Sequence, residues 1–280
     1  MTITATDVDI TILVDNQAAP GLTAEHGLAL WIAAQGRFIL FDTGQGPALP
    51  SNAHALGVDL RTTTELVLSH GHYDHTGGLP HVLQGAPNVN IYCHPGAVQP
   101  RYSKRREGPK EIHMPADARW ALDRLPGKQI HWTSEATRLG EAIGLTGPIP
   151  RRTRYEDAGG PFFLDPGLRQ PDPIDDDMAL WIETEDGLVI CVGCCHAGVV
   201  NTIDHIRRLS GISHIRALIG GLHLVNAGRE RMALTAEALA ALPIDKVIAC
   251  HCTGEAALAV LDTALANKLV QGEAGETFCF

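Results

Sequence analysis

The sequence predicts an α/β fold built in layers, and three observations carry that expectation. Apolar runs of strand length alternate with helix-like patterns along most of the chain. Its 280 residues suffice for one large α/β domain or two small ones. Four of the apolar runs end in segments that carry histidine, as expected where the carboxyl ends of strands gather function on one rim.

In order, a strand is predicted over 8–14, then, past the Pro20-Gly21 turn, two more over 27–34 and 37–41 that meet across Gln35-Gly36 as a hairpin. A helix is predicted over 47–56, a short buried strand over 65–68, a short helix over 79–83 and a strand over 89–93. Residues 95–170 break this rhythm with many prolines and glycines and read as an irregular insertion or lid. Strands over 178–184 and 188–192 form a second hairpin turned by Glu185-Asp186-Gly187. A helix over 200–209, a strand over 217–219, a helix over 229–241 and a strand over 246–250 follow.

The bulk composition narrows the function classes. With 45% hydrophobic residues and a mean hydropathy of +0.01, the chain reads as a soluble globular protein. A net charge of −10 argues against a nucleic-acid partner, whose recognition rests on clustered Lys and Arg. No apolar run is long enough to span a membrane, and the N-terminus lacks a basic stretch before an apolar one, so a cytoplasmic location is expected. The seven cysteines are odd in number and several sit in apolar runs, which suits reduced thiols.

Chemistry concentrates in Ser69-His70-Gly71-His72-Tyr73-Asp74-His75-Thr76-Gly77-Gly78, directly after the short buried strand. Three imidazoles and a carboxylate in six positions cannot enter an apolar core unpaired, and they are the ligand types that zinc, iron and manganese take. At a strand end, His70 and His72 can point to one side while Asp74 and His75 approach from past the bend, so two metal subsites are conceivable.

Other strand ends supply the remaining donors: Asp42 in Phe41-Asp42-Thr43-Gly44, Cys194 and His196 in Gly193-Cys194-Cys195-His196-Ala197-Gly198, His223 after Gly220-Gly221-Leu222, and His251 in His251-Cys252-Thr253-Gly254. If these ends share a rim, His70, His72, Asp74, His75, Cys194, His196, His223 and His251 meet in one cleft. Asp42 is a candidate to hold the metal loop through hydrogen bonds, or else a turn cap. Among the other histidines, read as structural, His26 in Glu25-His26-Gly27 stands out. Two basic clusters, Arg101 to Arg106 and Arg151 to Arg154, are either anion clamps or solvated loops.

The run HxHxDH after an apolar strand, with Asp42-Thr43-Gly44-Gln45, Glu25-His26-Gly27 and the late strand-end histidine, resembles the metallo-β-lactamase superfamily. The further pieces at Gly193 to Gly198, Gly220 to His223 and Cys250 to Gly254 resemble its branch of 7,8-dihydropterin-6-methyl-4-(β-D-ribofuranosyl)aminobenzene 5′-phosphate synthase-like proteins. The resemblance covers almost the whole chain, so a single domain over 1–280 is expected. It implies an αββα sandwich with a metal site on one edge, one subsite from His70, His72 and His196 and the other from Asp74, His75 and His251. Where the superfamily's usual pattern has an aspartate bridging both ions, this chain has Cys194, which bridges as a thiolate, merely lines the site, or leaves one ion tightly held. The run Asp175-Asp176-Asp177 either supplies a compensating carboxylate or is a solvated turn.

The expected function is hydrolysis of a phosphate ester or phosphodiester, pterin-like in the family's terms, by a metal-activated water. Zinc is the expected cofactor, one or two ions, with iron or manganese as alternatives. Asp74 orients the nucleophile and His223 contacts the scissile group or protonates the leaving oxygen. The alternatives are a lactone or ester hydrolase, a non-catalytic metal-binding protein, and an iron redox centre, for which nothing in the chain supplies a flavin domain. The partner expected is a small anionic substrate.

Overall fold

In the computed structural model, which describes residues 4–280, two seven-stranded sheets stack face to face with helices on both outer surfaces. Residues 1–3, the start of the stretch read for a targeting signal, lie outside the described residues. The first sheet runs, edge to edge, Thr277–Cys279, Asp9–Val14, Ala29–Ala34, Arg37–Phe41, Glu65–Val67, Asn90–Cys93 and Ile130–Trp132. The second runs Leu269–Gln271, Ile244–Cys250, Ile215–Gly221, Gly187–Val192, Leu180–Thr184, Ile143–Leu145 and Thr137–Arg138. Each is antiparallel in one half and parallel in the other.

The two-residue period of a strand explains why both faces are apolar. In Gly187–Val192 every residue is buried: Val189 and Cys191 face the other sheet, while Leu188, Ile190 and Val192 face the outer helices. Ile10, Ile12, Leu30, Ile32, Ile39 and Phe41 meet them from the first sheet. The outer helices close the layers, with Leu49, Ala53, Leu79 and Val82 on one side and Ile203, Ile206, Leu239 and Leu261 on the other. Among the described residues no helix is long and apolar enough to cross a membrane.

The hairpin across Gln35-Gly36 forms as expected, with both turn residues at positive φ, the geometry whose twist suits adjoining strands. Residues 95–170 are more structured than their composition suggests. Ala116–Asp123 buries Ala118 and Leu122 against the first sheet, Ile130–Trp132 extends that sheet, and Thr137–Arg138 and Ile143–Leu145 pass to the second. Tyr102–Arg105, Gly108–Glu111 and Phe162–Phe163 form a separate small sheet, and Ser103, Arg105 and Phe162 line the cleft described below. Strands of two to four residues are too short to show a period, which is why the sequence conceals them.

Candidate metal centre

The site sits where parallel strands of both sheets end. In the second sheet, Val192 pairs with Gly220 and Gly221 with Cys250, so three carboxyl ends lie in step. In the first, Phe41 pairs with Val67. Just past these ends Asp42, Cys195, His223 and His251 all take positive φ (61°, 58°, 45° and 53°). Each conformation costs a side-chain-bearing residue about 1–2 kcal/mol, a strain that collects where side chains must be aimed.

Close backbone contact locks the metal loop. A Cβ on Gly71 would lie 2.1 Å from the Ala97 carbonyl oxygen, and one on Gly193 would lie 2.1 Å from Ser69 Oγ and 2.9 Å from Asp42 Oδ2. Asp42, fully buried, accepts from the Ser69 N–H, the Ser69 hydroxyl and His75 Nδ1–H, each at 2.7 Å. Its position fits the hydrogen-bonding role expected of it.

These bonds fix the tautomers. Since Ser69 gives its proton to Asp42, its oxygen accepts from His70 Nδ1–H at 2.9 Å, and His70 Nε2 is left as an acceptor that faces His72 Nδ1 at 2.9 Å. His75, held by Asp42 at Nδ1, turns its Nε2 to Cys194 Sγ. His196 Nδ1–H donates to the Ala158 carbonyl at 2.8 Å, and His251 Nδ1–H to Asn16 Oδ1 at 3.0 Å. The buried Nε2 atoms of His72, His196 and His251 have no hydrogen-bond partner. Imidazole nitrogens gathered in one place, with the rings of His70, His75, His196 and His251 held from behind by their other nitrogen, are a setting completed by a cation.

Cys194 occupies the centre. Its Sγ lies within 4.8 Å of ligand atoms of His70 and His196 on one side and of His75 and His251 on the other, with His75 Nε2 at 3.2 Å. The rings of His70, His72 and His196 stand 4.5 to 5.0 Å apart. Asp74 Oδ2 lies 3.5 Å from His251 Nε2, 3.9 Å from His75 Nε2 and 3.2 Å from His26 Nε2. Every residue expected to ligate metal is therefore in one place, and the nitrogen and sulfur donor set fits a divalent ion.

Electrostatics point the same way. Burial, reinforced by neighbouring cationic groups, pushes His70, His72 and His196 well below the usual imidazole range, so they are neutral ligands at pH 7. Burial opposes a charge on His75 too, but Asp42 and Asp74 outweigh it and raise His75 to about 9. The charge drawn there as a proton is one that a divalent ion can supply instead. Burial would raise Asp74, yet His75, His251 and His26 hold it well below the carboxylate range. Burial first, then Cys252 and Asp74, push the Cys194 thiol up, so its thiolate depends on a nearby cation.

Three expectations change. Asp175-Asp176-Asp177 brings no carboxylate to the ligand cluster: Asp176 accepts from the Gly71 N–H and pairs with Arg101, and Asp177 accepts from the Ala197 N–H. Arg101 is no anion clamp, because it is buried against Asp172 and Asp176. Arg151 instead donates to the carbonyls of His196 and Pro173. Of the basic side chains in the first cluster, Arg105 is the one that lines the cleft.

The cleft, about 190 Å³, is lined by His72, Asp74, Cys194, His223 and His251 on its floor, and by Tyr73, Arg105, Ile112, Phe162 and Val225 on its walls. His26, Asn16, Phe162 and Cys252 belong to it too. The sequence signals His26 by its place before a strand and Cys252 by its adjacency to His251, and carries no signal for Asn16 or Phe162.

This arrangement is that of a metal-dependent hydrolase. A solved structure described as a metal-dependent hydrolase of the beta-lactamase superfamily matches with a TM-score of 0.83 and 27% identity, covering 97% of this chain and 98% of that one. The metallo-beta-lactamase superfamily model matches residues 22–251, and the chain belongs to that superfamily. It is 29% identical, over 82% of each chain, to 7,8-dihydropterin-6-methyl-4-(beta-D-ribofuranosyl)-aminobenzene-5'-phosphate synthase of Methanocaldococcus jannaschii. An uncharacterized protein of the same organism is 30% identical over 95% of this chain and 98% of its own length.

Proposed function

We propose that this chain holds one or two zinc ions at the rim and hydrolyses a phosphate ester or phosphodiester, with Cys194 as the shared ligand. The observation that carries the metal reading is the position of Cys194 Sγ, common to the His70/His196 and His75/His251 groups. Thiolate with imidazole favours zinc over magnesium or manganese. An ion there supplies Lewis acidity and a nucleophile at neutral pH.

The chain's own groups do the rest. Asp74, at the cleft floor between His26 and His251, accepts the proton of the attacking nucleophile. His223, whose two ring nitrogens have no hydrogen-bond partner, protonates the leaving oxygen. Phe162 packs beside the rings of His72, His196 and His223 and keeps bulk water from that face. Arg105, with no carboxylate within 4 Å among the described residues, and Lys110, over the Tyr73 ring, offer positive charge at the lip.

The phosphate in the name of the Methanocaldococcus relative supports an anionic substrate. A cleft this small takes the phosphoryl end, while a pterin-sized remainder lies along the lip. Six buried free thiols suit the reducing cytoplasm.

The test is metal analysis of the purified protein, with phosphomonoesters, cyclic phosphodiesters, lactones and thioesters assayed before and after chelation. Phosphodiester or phosphomonoester turnover that vanishes on chelation and returns with zinc is expected. Turnover confined to lactones or thioesters overturns the substrate class. Full metal content with no turnover on any of them leaves a metal-binding protein instead.

A further inference from the structure

The two imidazole groups leave a third cluster unused. Cys194 Sγ, a ring nitrogen of His223 and Cys252 Sγ all lie within 4.8 Å of one another, on the cleft side of the centre. Cys252 is 6% exposed and His223 9%. Both ring nitrogens of His223 lack a hydrogen-bond partner, an unusual state for a buried imidazole. The main chain at His223 is strained, with φ at 45°.

Space is reserved for these two side chains. A Cβ on Gly221 would lie 2.6 Å from Cys252 Sγ, and one on Gly159 would lie 2.0 Å from His223 Cδ2. Gly159 takes φ at 82°, so its loop closes over the imidazole in a conformation that a larger residue resists. Strain, room made by glycines and unpartnered donors converge on one point.

We propose that Cys194, His223 and Cys252 form a separate cation position, selective for thiophilic ions such as zinc, cadmium or copper(I), with its fourth position open to the cleft. Two sulfurs and one imidazole nitrogen are a soft set that magnesium and manganese do not favour. Tetrahedral coordination at about 2.3 Å from sulfur and about 2.0 Å from nitrogen sets ligand atoms roughly 3.5–3.8 Å apart, within a small adjustment of the present spacing. Three protein ligands with one open position is the form that binds and turns over ligands, not the closed form of a structural zinc site. Because Cys194 also serves the imidazole groups and His223 the leaving oxygen, an ion held here competes with both roles, and a thiophilic metal in excess rearranges the centre.

Cadmium reports this directly, because each thiolate bound to it adds ultraviolet charge-transfer absorbance. The full-length protein, stripped by chelator, is titrated with Cd2+ while absorbance and bound metal are measured. The wild type is expected to show two thiolates on the first ion. Cys252→Ser halves the absorbance per ion, and His223→Ala weakens cadmium at least tenfold with the absorbance per ion unchanged. Cys252→Ser with wild-type absorbance and affinity overturns the proposal. If that variant misfolds by circular dichroism, His223→Ala decides alone, and unchanged cadmium affinity in it overturns the proposal. The reading is separable from the hydrolase proposal, since neither absorbance nor stoichiometry depends on any ester being cleaved.

Discussion

Asp42→Asn tests the logic of the centre most directly. The substitution keeps the volume of a fully buried side chain and the acceptor that receives the Ser69 N–H, but places an amide NH2 where the Ser69 hydroxyl and His75 Nδ1 now donate. His75 must then carry its proton on Nε2, pointed at Cys194 Sγ 3.2 Å away, and His70 loses the acceptor that fixes its own tautomer. Partners of this kind are worth about 10- to 100-fold in metal affinity, or about 1.4–2.7 kcal/mol. A second consequence appears without metal. His75 is raised from 6.5 to about 9, so its stabilising charge is fully present below pH 6.5 and is lost as pH rises through about 9. That gap corresponds to stability on the order of 3 kcal/mol. Zinc affinity measured by competition with a chelating dye at pH 7.5, with urea unfolding of the metal-free protein between pH 6 and 9, reads both. An Asp42→Asn variant within threefold of wild type in affinity, whose stability falls between pH 6.5 and 9 as the wild type's does, refutes the reasoning.

On the acid side, His70, His72 and His196 are held neutral by burial, so the stability they contribute is present above pH 6.5 and lost as pH falls below it; a urea midpoint of the metal-free protein that is flat from pH 6.5 to 5 contradicts this. Gly193→Ala drives a Cβ into Ser69 Oγ and the Asp42 carboxylate, and an overpacking loss of about 1–3 kcal/mol is expected, with zinc affinity falling alongside; an unchanged urea midpoint counts against it. Arg101→Ala leaves Asp172 and Asp176 buried without their partner and lowers stability by about 3–5 kcal/mol, whereas exposed Arg105→Ala leaves stability within about 0.5 kcal/mol and raises KM for an anionic substrate roughly tenfold. Equal stability losses in the two variants contradict the division of roles.

The parts of the molecule legible in the sequence are those whose signal is local. Gln35-Gly36 announces its hairpin because two adjacent positions need positive φ, and Arg229–Ala241 is found at both ends because thirteen residues rich in Ala, Leu, Glu and Arg lie between Gly228 and Pro243. Thr277–Cys279 is invisible by the same criterion: three residues become a strand only by pairing with Asp9 to Thr11 at the other end of the chain. Arg101 misleads for a related reason. Its neighbours Lys104 to Arg106 are exposed, and the carboxylates that draw it inward stand some seventy residues later. Donor-rich strand ends were legible one by one, whereas the parallel register that sets Val192, Gly221 and Cys250 in step was not.

Cys194 shows where sequence stops and geometry decides. A cysteine in place of the expected aspartate leaves open whether another carboxylate takes over, and the nearby Asp175-Asp176-Asp177 makes that option reasonable. In the fold, Asp176 and Asp177 are occupied by the Gly71 and Ala197 N–H groups and stand outside the cluster of bare imidazole nitrogens. The acidic groups of the ligand cluster are therefore Cys194, Asp74 and, on the cleft side, Cys252, since Asp42 acts from behind His75. Thiols standing where a carboxylate bridge was expected take their charge from a nearby cation, so the charge of the centre follows its metal content, and under the phosphoester proposal an anionic substrate is expected to bind more tightly as a second position fills.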